Sequence, residues 1–243
     1  MALVELQNRG MLKYLISQNC DGPHRRSGIR PEMISELHGN SNREYCENCG
    51  KEYLRDFRAV SIYANGDHDH RTGRKCTLCG GILLDTIVNF GKDLPDYAFN
   101  LAEQHAKDAD LCHVLGSSLT VRPANKIPYI VASQTGNNPY ALFAMYNLQE
   151  TAYDRGCNIR VFAETDVFMA KVMEKLDLPI PPFILCRNLI LMIESPSEYR
   201  HRVTATGVDS YRTPVSFLQS FKLVGTRRGA RSEPFTIIVR ERL

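Results

Sequence analysis

The sequence predicts an α/β protein: a partial Rossmann-type, doubly wound parallel sheet with a small four-cysteine zinc-binding lobe. Three observations predict it. Two CxxC hooks, Cys46-Glu47-Asn48-Cys49 and Cys76-Thr77-Leu78-Cys79, flank a polar loop carrying Gly66, His68, His70 and Gly73. From Asp96 onward, helical patterns alternate with short apolar runs, the spacing of a strand–helix repeat. Near the start, the apolar run Tyr14-Leu15-Ile16-Ser17 gives way to Gln18-Asn19-Cys20-Asp21-Gly22-Pro23-His24. Open α/β sheets line their ligand crevice with polar residues at such strand ends, although an Asn/Asp/Gly turn reads the same way.

Composition sets the outer bounds. The chain has 243 residues, 43% of them hydrophobic and 23% charged, with a net charge of +3. That is an ordinary globular balance, and the charge is too small to argue for nucleic acid by itself. No run of about 18 apolar residues suggests a membrane span, and the first residues lack the pattern of a signal peptide. Of eight cysteines, Cys20, Cys112, Cys157 and Cys186 are scattered outside the hooks, which fits a reducing, intracellular compartment.

Taken in order, Ala2 to Met11 reads as a short amphipathic helix with Leu3, Leu6 and Met11 on one side, loosened at Gly10. Tyr14 to Ser17 reads as a buried strand. Further on, Glu36-Leu37-His38-Gly39-Asn40 sets a histidine beside a glycine just before the first hook.

The zinc lobe should span residues 42–84, with short strands and Tyr53, Phe57, Val60 and Ile62 as its few apolar residues. Four thiolates close a tetrahedral Zn²⁺ site and leave no position for water, so Cys46, Cys49, Cys76 and Cys79 predict a structural metal. Two disulfides or four unrelated thiols are the alternatives. His68 and His70 read as members of a solvated loop rather than ligands. Ile82 to Gly91 then reads as a β-branched strand closing in glycine.

Asp96 to Lys107 reads as a helix facing inward with Tyr97, Leu101 and Ala102. Leu111 to Leu115 is a buried strand, with His113 as a core residue, and Gly116-Ser117-Ser118-Leu119 follows at its carboxyl end. Small hydroxyl residues there allow close backbone approach to a ribose or phosphate. A crossover helix, Pro123 to Ser133, is interrupted by Pro128. Tyr140 to Tyr146 is the next strand, and Glu164-Thr165-Asp166 opens the last helix.

From residue 183, the apolar run Ile184 to Ile193 and the segments around 215–217, 221–224 and 236–239 suggest two or three strands, with 225–233 as a loop. This extension carries ten Lys and Arg against five Asp and Glu. Arg227, Arg228 and Arg231 cluster in the loop. They read as a solvated face or as a contact for nucleic acid or an acidic partner.

These motifs, in this order, resemble the sirtuins, the NAD-dependent protein deacylases. The resemblance is carried by Ser17 to His24, by Glu36 to Asn40 and by the paired hooks. Asp85-Thr86-Ile87-Val88-Asn89-Phe90-Gly91, Leu115 to Leu119 and Asn147-Leu148-Gln149 continue it. It covers residues 1 to about 182. Ser17, the Asp85-Thr86-Ile87 run and Leu178-Pro179-Ile180-Pro181 are similar to the class IV branch of sirtuins six and seven. On this resemblance, residues 1–41 and 85–182 form a partial Rossmann-type NAD-binding and catalytic domain, 42–84 the zinc-binding lobe, and 183–243 a basic, β-containing C-terminal extension.

The resemblance implies an acyl group passed from a modified lysine to the ADP-ribose part of NAD, with release of nicotinamide. His38 takes the family's place as proton acceptor for a ribose hydroxyl, work that an imidazole titrating near pH 6.5 suits. Asn19 and Asp21 join it in the catalytic set. With Gln18 they would hold nicotinamide and ribose, since amide and carboxylate oxygens suit such donors. Gly116, Ser117, Ser118, Asn147 and Thr165 take the cofactor-binding places at the adenosine end. Val88, Asn89, Phe90 and Gly91 would border the acyl-lysine tunnel and pair with the substrate backbone. Pro23 stands where an apolar residue is usual, and Ala163 where glycine is usual.

The family's glycine-rich turn, which cradles the pyrophosphate, has no counterpart before Ser17. The resemblance therefore leads us to expect weak NAD binding from this chain, with a catalytically silent zinc-stabilised binding module as the rival reading and mono-ADP-ribosyl transfer as a third. It implies acyl-lysine protein substrates such as histones or other nuclear proteins, a nuclear or nucleolar location, and no membrane partner.

Overall fold

The computed structural model describes residues 1–61, 69–133, 136–225 and 227–240; Ile62, Gly66 and His68 lie outside the described residues. The chain divides into two compact units. The first comprises Met1–Asn19, Pro23–His38 and Val88–Ile184, the second Cys20–Gly22, Gly39–Ile87 and Leu185–Leu243.

In the first unit, α1 spans Ala2–Asn8 and buries Ala2, Val4 and Gln7, not the Leu3/Leu6/Met11 side. Val4 meets Ile29 and Ile34 in a small apolar cluster, and that contact sets the helix rotation. Strand β1 (Leu15–Ser17) pairs in parallel with β2 (Ile34–Glu36). Between them, Pro23 opens α2 (Pro23–Ser27). A first helical position needs no N–H partner, so the proline that departs from the family pattern is accommodated as a helix start.

A second parallel sheet runs β7–β8–β9, with β7 at Leu111–Leu115, β8 at Leu142–Tyr146 and β9 at Ile159–Val161. Helices α3 (Asp96–Lys107), α4 (Lys126–Ala132) and α5 (Thr165–Lys175) accompany it. The core gathers Leu37, Ala102, Ala106, Val114, Ile127, Val131, Phe143 and Met145 among others. Helix α3 has its expected bounds and most of its expected face: Ala102 is buried as expected, Leu101 is half-buried and Ala106 joins them, but Tyr97 is exposed rather than inward. Pro128 does not interrupt α4. It sits buried in the first turn, where backbone N–H groups lack intrahelical partners in any case. His113 is not a core residue but is exposed, its ring nitrogen 3.1 Å from the Tyr146 hydroxyl.

The second unit holds an antiparallel sheet in the order β4–β3–β6–β5. Its strands are β3 (Arg43–Cys46), β4 (Glu52–Leu54), β5 (Arg71–Lys75) and β6 (Ile82–Asp85). Its apolar cluster is Cys46, Tyr53, Cys76 and Leu83; Phe57, expected to contribute, is exposed.

The C-terminal segment of the same unit forms the sheet β10–β11–β14 and the small pair β12–β13. These strands are Asn188–Ser197, Arg200–Val208, Phe235–Val239, Phe221–Lys222 and Gly229–Ala230 respectively. Residues 215–217 form no strand; Val215 makes one isolated bridge to Leu54. The expected loop 225–233 contains β13, and Arg228 donates to the Ile238 carbonyl at 2.6 Å. This segment is fastened to β4 and the residues after it. Leu54 N–H donates to Pro214 O at 2.8 Å, Arg55 Nη1 meets Glu233 Oε2 at 2.8 Å and Arg187 Nη2 meets Asp56 Oδ1 at 2.7 Å.

Gly39 shows why its position requires glycine. Its φ is +80°, and a Cβ there would stand 1.8 Å from the Thr86 carbonyl oxygen. Both neighbouring bonds close the chain at that point: Asn40 N–H donates to Thr86 Oγ1 and Thr86 Oγ1 donates to Asn40 O, each at 3.0 Å. Gly39→Ala should therefore cost about 3 kcal/mol or more in unfolding free energy, from positive φ and overpacking together. A denaturant midpoint equal to that of the wild type would contradict it.

Candidate active site and metal centre

Each cysteine hook places one ligand at a strand end and one in the following turn. Gly50 N–H donates to Cys46 O and Gly80 N–H to Cys76 O, both at 2.9 Å. Both glycines have positive φ, which lets the turn fold under the sulfurs. The four Sγ atoms lie within 4.8 Å of one another, with Cys46–Cys79 at 3.4 Å and Cys49–Cys76 at 3.7 Å. A tetrahedron with Zn–S of about 2.3 Å has edges of about 3.8 Å, so the donor set fits a structural Zn²⁺.

The electrostatics agree. Burial works against ionising Cys76, but hydrogen bonds from Tyr53 and from the N–H groups of Cys79 and Leu78 outweigh it and bring the thiol down to about 6. At Cys79 a Gly81 N–H favours the thiolate, yet the crowding sulfurs of Cys46 and Cys49 push it up to about 12. A dication is what allows all four sulfurs to be deprotonated at once.

Tyr53 was expected only as apolar filling. Its hydroxyl accepts Thr77 N–H at 3.0 Å and lies 3.2 Å from Cys76 Sγ; a thiolate can only accept, so the O–H donates to sulfur. Tyr53→Phe should weaken zinc binding by about tenfold, as the loss of such outer partners does elsewhere. Competition with a chromophoric chelator reads this, and unchanged affinity would remove Tyr53 from the role. His70 is no ligand in the described cluster: its Nδ1 lies 2.9 Å from Asp85 Oδ1.

In the first unit, β1 and β2 end side by side, with Leu37 N–H donating to Ser17 O at 2.9 Å. Immediately beyond, His38 Nδ1 lies 3.1 Å from the Gln18 carbonyl oxygen. A carbonyl only accepts, so Nδ1 carries the proton and the neutral ring keeps its lone pair on Nε2. Asn19 is exposed, with its N–H donating to Ser17 Oγ at 3.1 Å. Val88 N–H donates to His38 O at 3.1 Å.

Residues 88–91 are not a strand, since β6 stops at Asp85; Asn89 O accepts Lys92 N–H at 3.1 Å. Phe90 is 96% exposed, and Gly91 has φ +80°. Asp21 belongs to the second unit and is exposed.

The carboxyl ends of β7 and β8 bring four of the expected residues together. Gly116 N–H donates to Tyr146 O at 2.9 Å, and Asn147 Nδ2 donates to Ser117 O at 3.0 Å. Thr165, the first residue of α5, has its methyl 3.6 Å from where a Gly116 side chain would begin. Ser118 instead turns its hydroxyl to Thr120 at 3.0 Å. Ligands of open α/β sheets bind outside such strand ends.

Parallel strands ending in small, amide and hydroxyl residues, together with a four-cysteine cluster that fits a structural metal, define an α/β protein with a separate tetrathiolate lobe. The chain belongs to the Sir2 family, whose model matches residues 1–123. It is 42% identical over 186 residues to the NAD-dependent protein deacetylase SRT1 of Arabidopsis thaliana, covering 76% of this chain and 37% of that protein. Against human NAD-dependent protein deacetylase sirtuin-7 it is 34% identical over 201 residues, covering 81% and 49%. The chain thus spans about half or less of the length of these curated relatives.

Rice SRT1 matches over 92% of the chain at 36% identity. That alignment reaches into the C-terminal segment, so likeness does not end at residue 182 as the motifs alone suggest. Among solved structures, Sir2Tm bound to a propionylated peptide matches with a TM-score of 0.55 at 30% identity, covering 73% of this chain and 70% of that one. The structure described as Sir2-p53 peptide-NAD+ matches with a TM-score of 0.55 at 30% identity, covering 72% and 68%.

Proposed function

We propose that this chain carries the catalytic core of an NAD-dependent protein-lysine deacylase, in which the acyl group of a modified lysine passes to ADP-ribose and nicotinamide leaves. The observation that supports it most is His38: it follows a parallel strand end, its Nδ1 is committed to the Gln18 carbonyl, and its basic nitrogen is therefore Nε2. NAD, as co-substrate, supplies the electrophilic sugar carbon and the hydroxyl that receives the acyl group.

The chain's own residues divide the remaining work. Nε2 of His38 takes the hydroxyl proton, which general-base catalysis favours by about 10² to 10⁴. Gln18, Asn19 and Asp21 orient the nicotinamide end. Gly116, Ser117, Ser118, Asn147 and Thr165 receive the adenosine end, and Val88 to Gly91 line the path of the acyl-lysine. The zinc takes no part in this chemistry, since its four sulfur ligands leave no open position. The relatives named as the NAD-dependent protein deacetylases sirtuin-7 and Sirt6 support acyl-lysine proteins as the substrate class; a nuclear location and histones or other nuclear proteins as substrates rest on resemblance alone. The arginine surplus of the C-terminal segment makes it the surface to test for nucleic acid or an acidic partner.

Mass spectrometry of a reaction with NAD and an acetyl-lysine peptide tests the proposal. Acetyl groups recovered on ADP-ribose would support it. ADP-ribose recovered on the protein or peptide would replace it with a transferase, and an unchanged mixture with a binding module.

A further inference from the structure

We propose that Arg160 is the positioning residue of the adenosine end of the site, fixing the loop 147–149 so that Asn147 meets the nucleotide in one orientation. This rests on the NAD reading above.

Arg160 lies in β9, directly beside that loop. Its Nη1 donates to Asn147 O at 3.1 Å and to Val161 O at 2.7 Å, and its Nη2 donates to Gln149 O at 2.6 Å. Nε stands 3.0 Å from Asp154 Oδ2, and the guanidinium lies over the Phe162 ring, 3.8 Å from its centroid. One planar cation thus donates to three backbone carbonyls, pairs by charge with the Asp154 carboxylate without an Nε hydrogen bond, and covers an aromatic face. Only a guanidinium has the donors and the shape to do so.

What the fork fixes is an exposed loop whose other ties are all made by Asn147. Leu148, Gln149 and Glu150 are exposed. Asn147 N–H donates to Val161 O at 3.2 Å, and Gln149 N–H donates to Asn147 Oδ1 at 3.2 Å. Asn147 Nδ2 reaches across to Ser117 O at 3.0 Å. With both ends of the Asn147 amide engaged and its carbonyl pulled onto Arg160, the β7 and β8 loops present one fixed surface to a ribose. Preorganisation of this kind lowers the ordering cost of binding. The effect should concern only ligands that possess an adenosine half.

The test compares Arg160→Ala and Arg160→Lys with wild type by calorimetry, using ADP-ribose and nicotinamide mononucleotide, and by amide hydrogen exchange without ligand. Arg160→Ala should weaken ADP-ribose binding by about tenfold and leave nicotinamide mononucleotide unchanged, with faster exchange at Asn147 and Gln149 but not in β7. In turnover, KM for NAD should rise while kcat holds. Arg160→Lys should recover only part of the loss, because an ammonium is a point charge. Unchanged ADP-ribose affinity in Arg160→Ala, or equal losses for both ligands, would overturn the proposal. Failure of the wild type to bind either ligand would instead overturn the NAD reading. Exchange at Gln149 would then decide the loop role alone: acceleration supports it and unchanged protection ends it.

Discussion

Replacing Cys46 and Cys49 together with alanine, or stripping the metal with a chelator, is expected to unfold the four-stranded lobe and free the C-terminal strands with it. The lobe's buried apolar cluster is Cys46, Tyr53, Cys76 and Leu83, and two of those four are metal ligands. So small a core leaves the metal to supply the folding free energy, about 10–16 kcal/mol in zinc-finger peptides. The C-terminal segment should follow because Leu54, Arg55 and Asp56 bind it through Pro214, Glu233 and Arg187. The first unit should keep its helices, since its core cluster draws only on its own residues. Limited proteolysis with mass mapping distinguishes the two fates. Purified wild type should carry about one zinc per chain, as a single tetrathiolate site requires. Full metal content in the double variant would sink the assignment.

Arg55→Ala is expected to be the most destabilising substitution of a single charged residue. Its side chain is 3% exposed and pairs with Glu44, whose own side chain is 0% exposed, and with Glu233. Arg74 also reaches Glu44, at 2.6 Å. Removing Arg55 leaves a buried carboxylate with half of its compensation, a loss of about 3–5 kcal/mol. Burial opposes the charge on Arg55, but Glu44 and Glu233 outweigh it and raise its pKa. A raised pKa on a cation stabilises the fold at every pH below the ordinary arginine value and is lost only above it, so mild alkali should not weaken this unit through Arg55. The neutral pair Arg55→Met with Glu44→Gln should lose much less than Arg55→Ala. Equal losses in urea titrations would show that packing, not charge, governs the site.

The features legible in the sequence were those encoded over short spans. The CxxC spacing fixes two sulfurs per turn, so the metal centre could be read directly. Strand ends at Ser17, Leu115 and Tyr146 announced themselves by a change from apolar to polar residues. Helix α3 was legible in its bounds and at Ala102, but Tyr97, in the helix's first turn, faces solvent while Ala106 one turn after Ala102 completes the buried stripe.

Strand β11 was missed although His201, Val203 and Ala205 alternate inward; arginines and threonines between them hid the period. Contacts between distant positions left no local trace. Arg55 and Glu233 are 178 residues apart, and Tyr53 reads as an aromatic core residue until its hydroxyl is seen beside Cys76. Arg160, between Ile159 and Val161, reads as an outward strand position until the carbonyls of the loop beside it are in view.

The most direct test of the functional account is acetyl transfer from an acetyl-lysine peptide at high NAD concentration, comparing wild type with His38→Ala. The account predicts measurable transfer by the wild type and a loss of about 10² to 10⁴ on removing the base, with the metal content and thermal midpoint of the variant unchanged. Transfer at equal rates, or none by the wild-type chain, would contradict it.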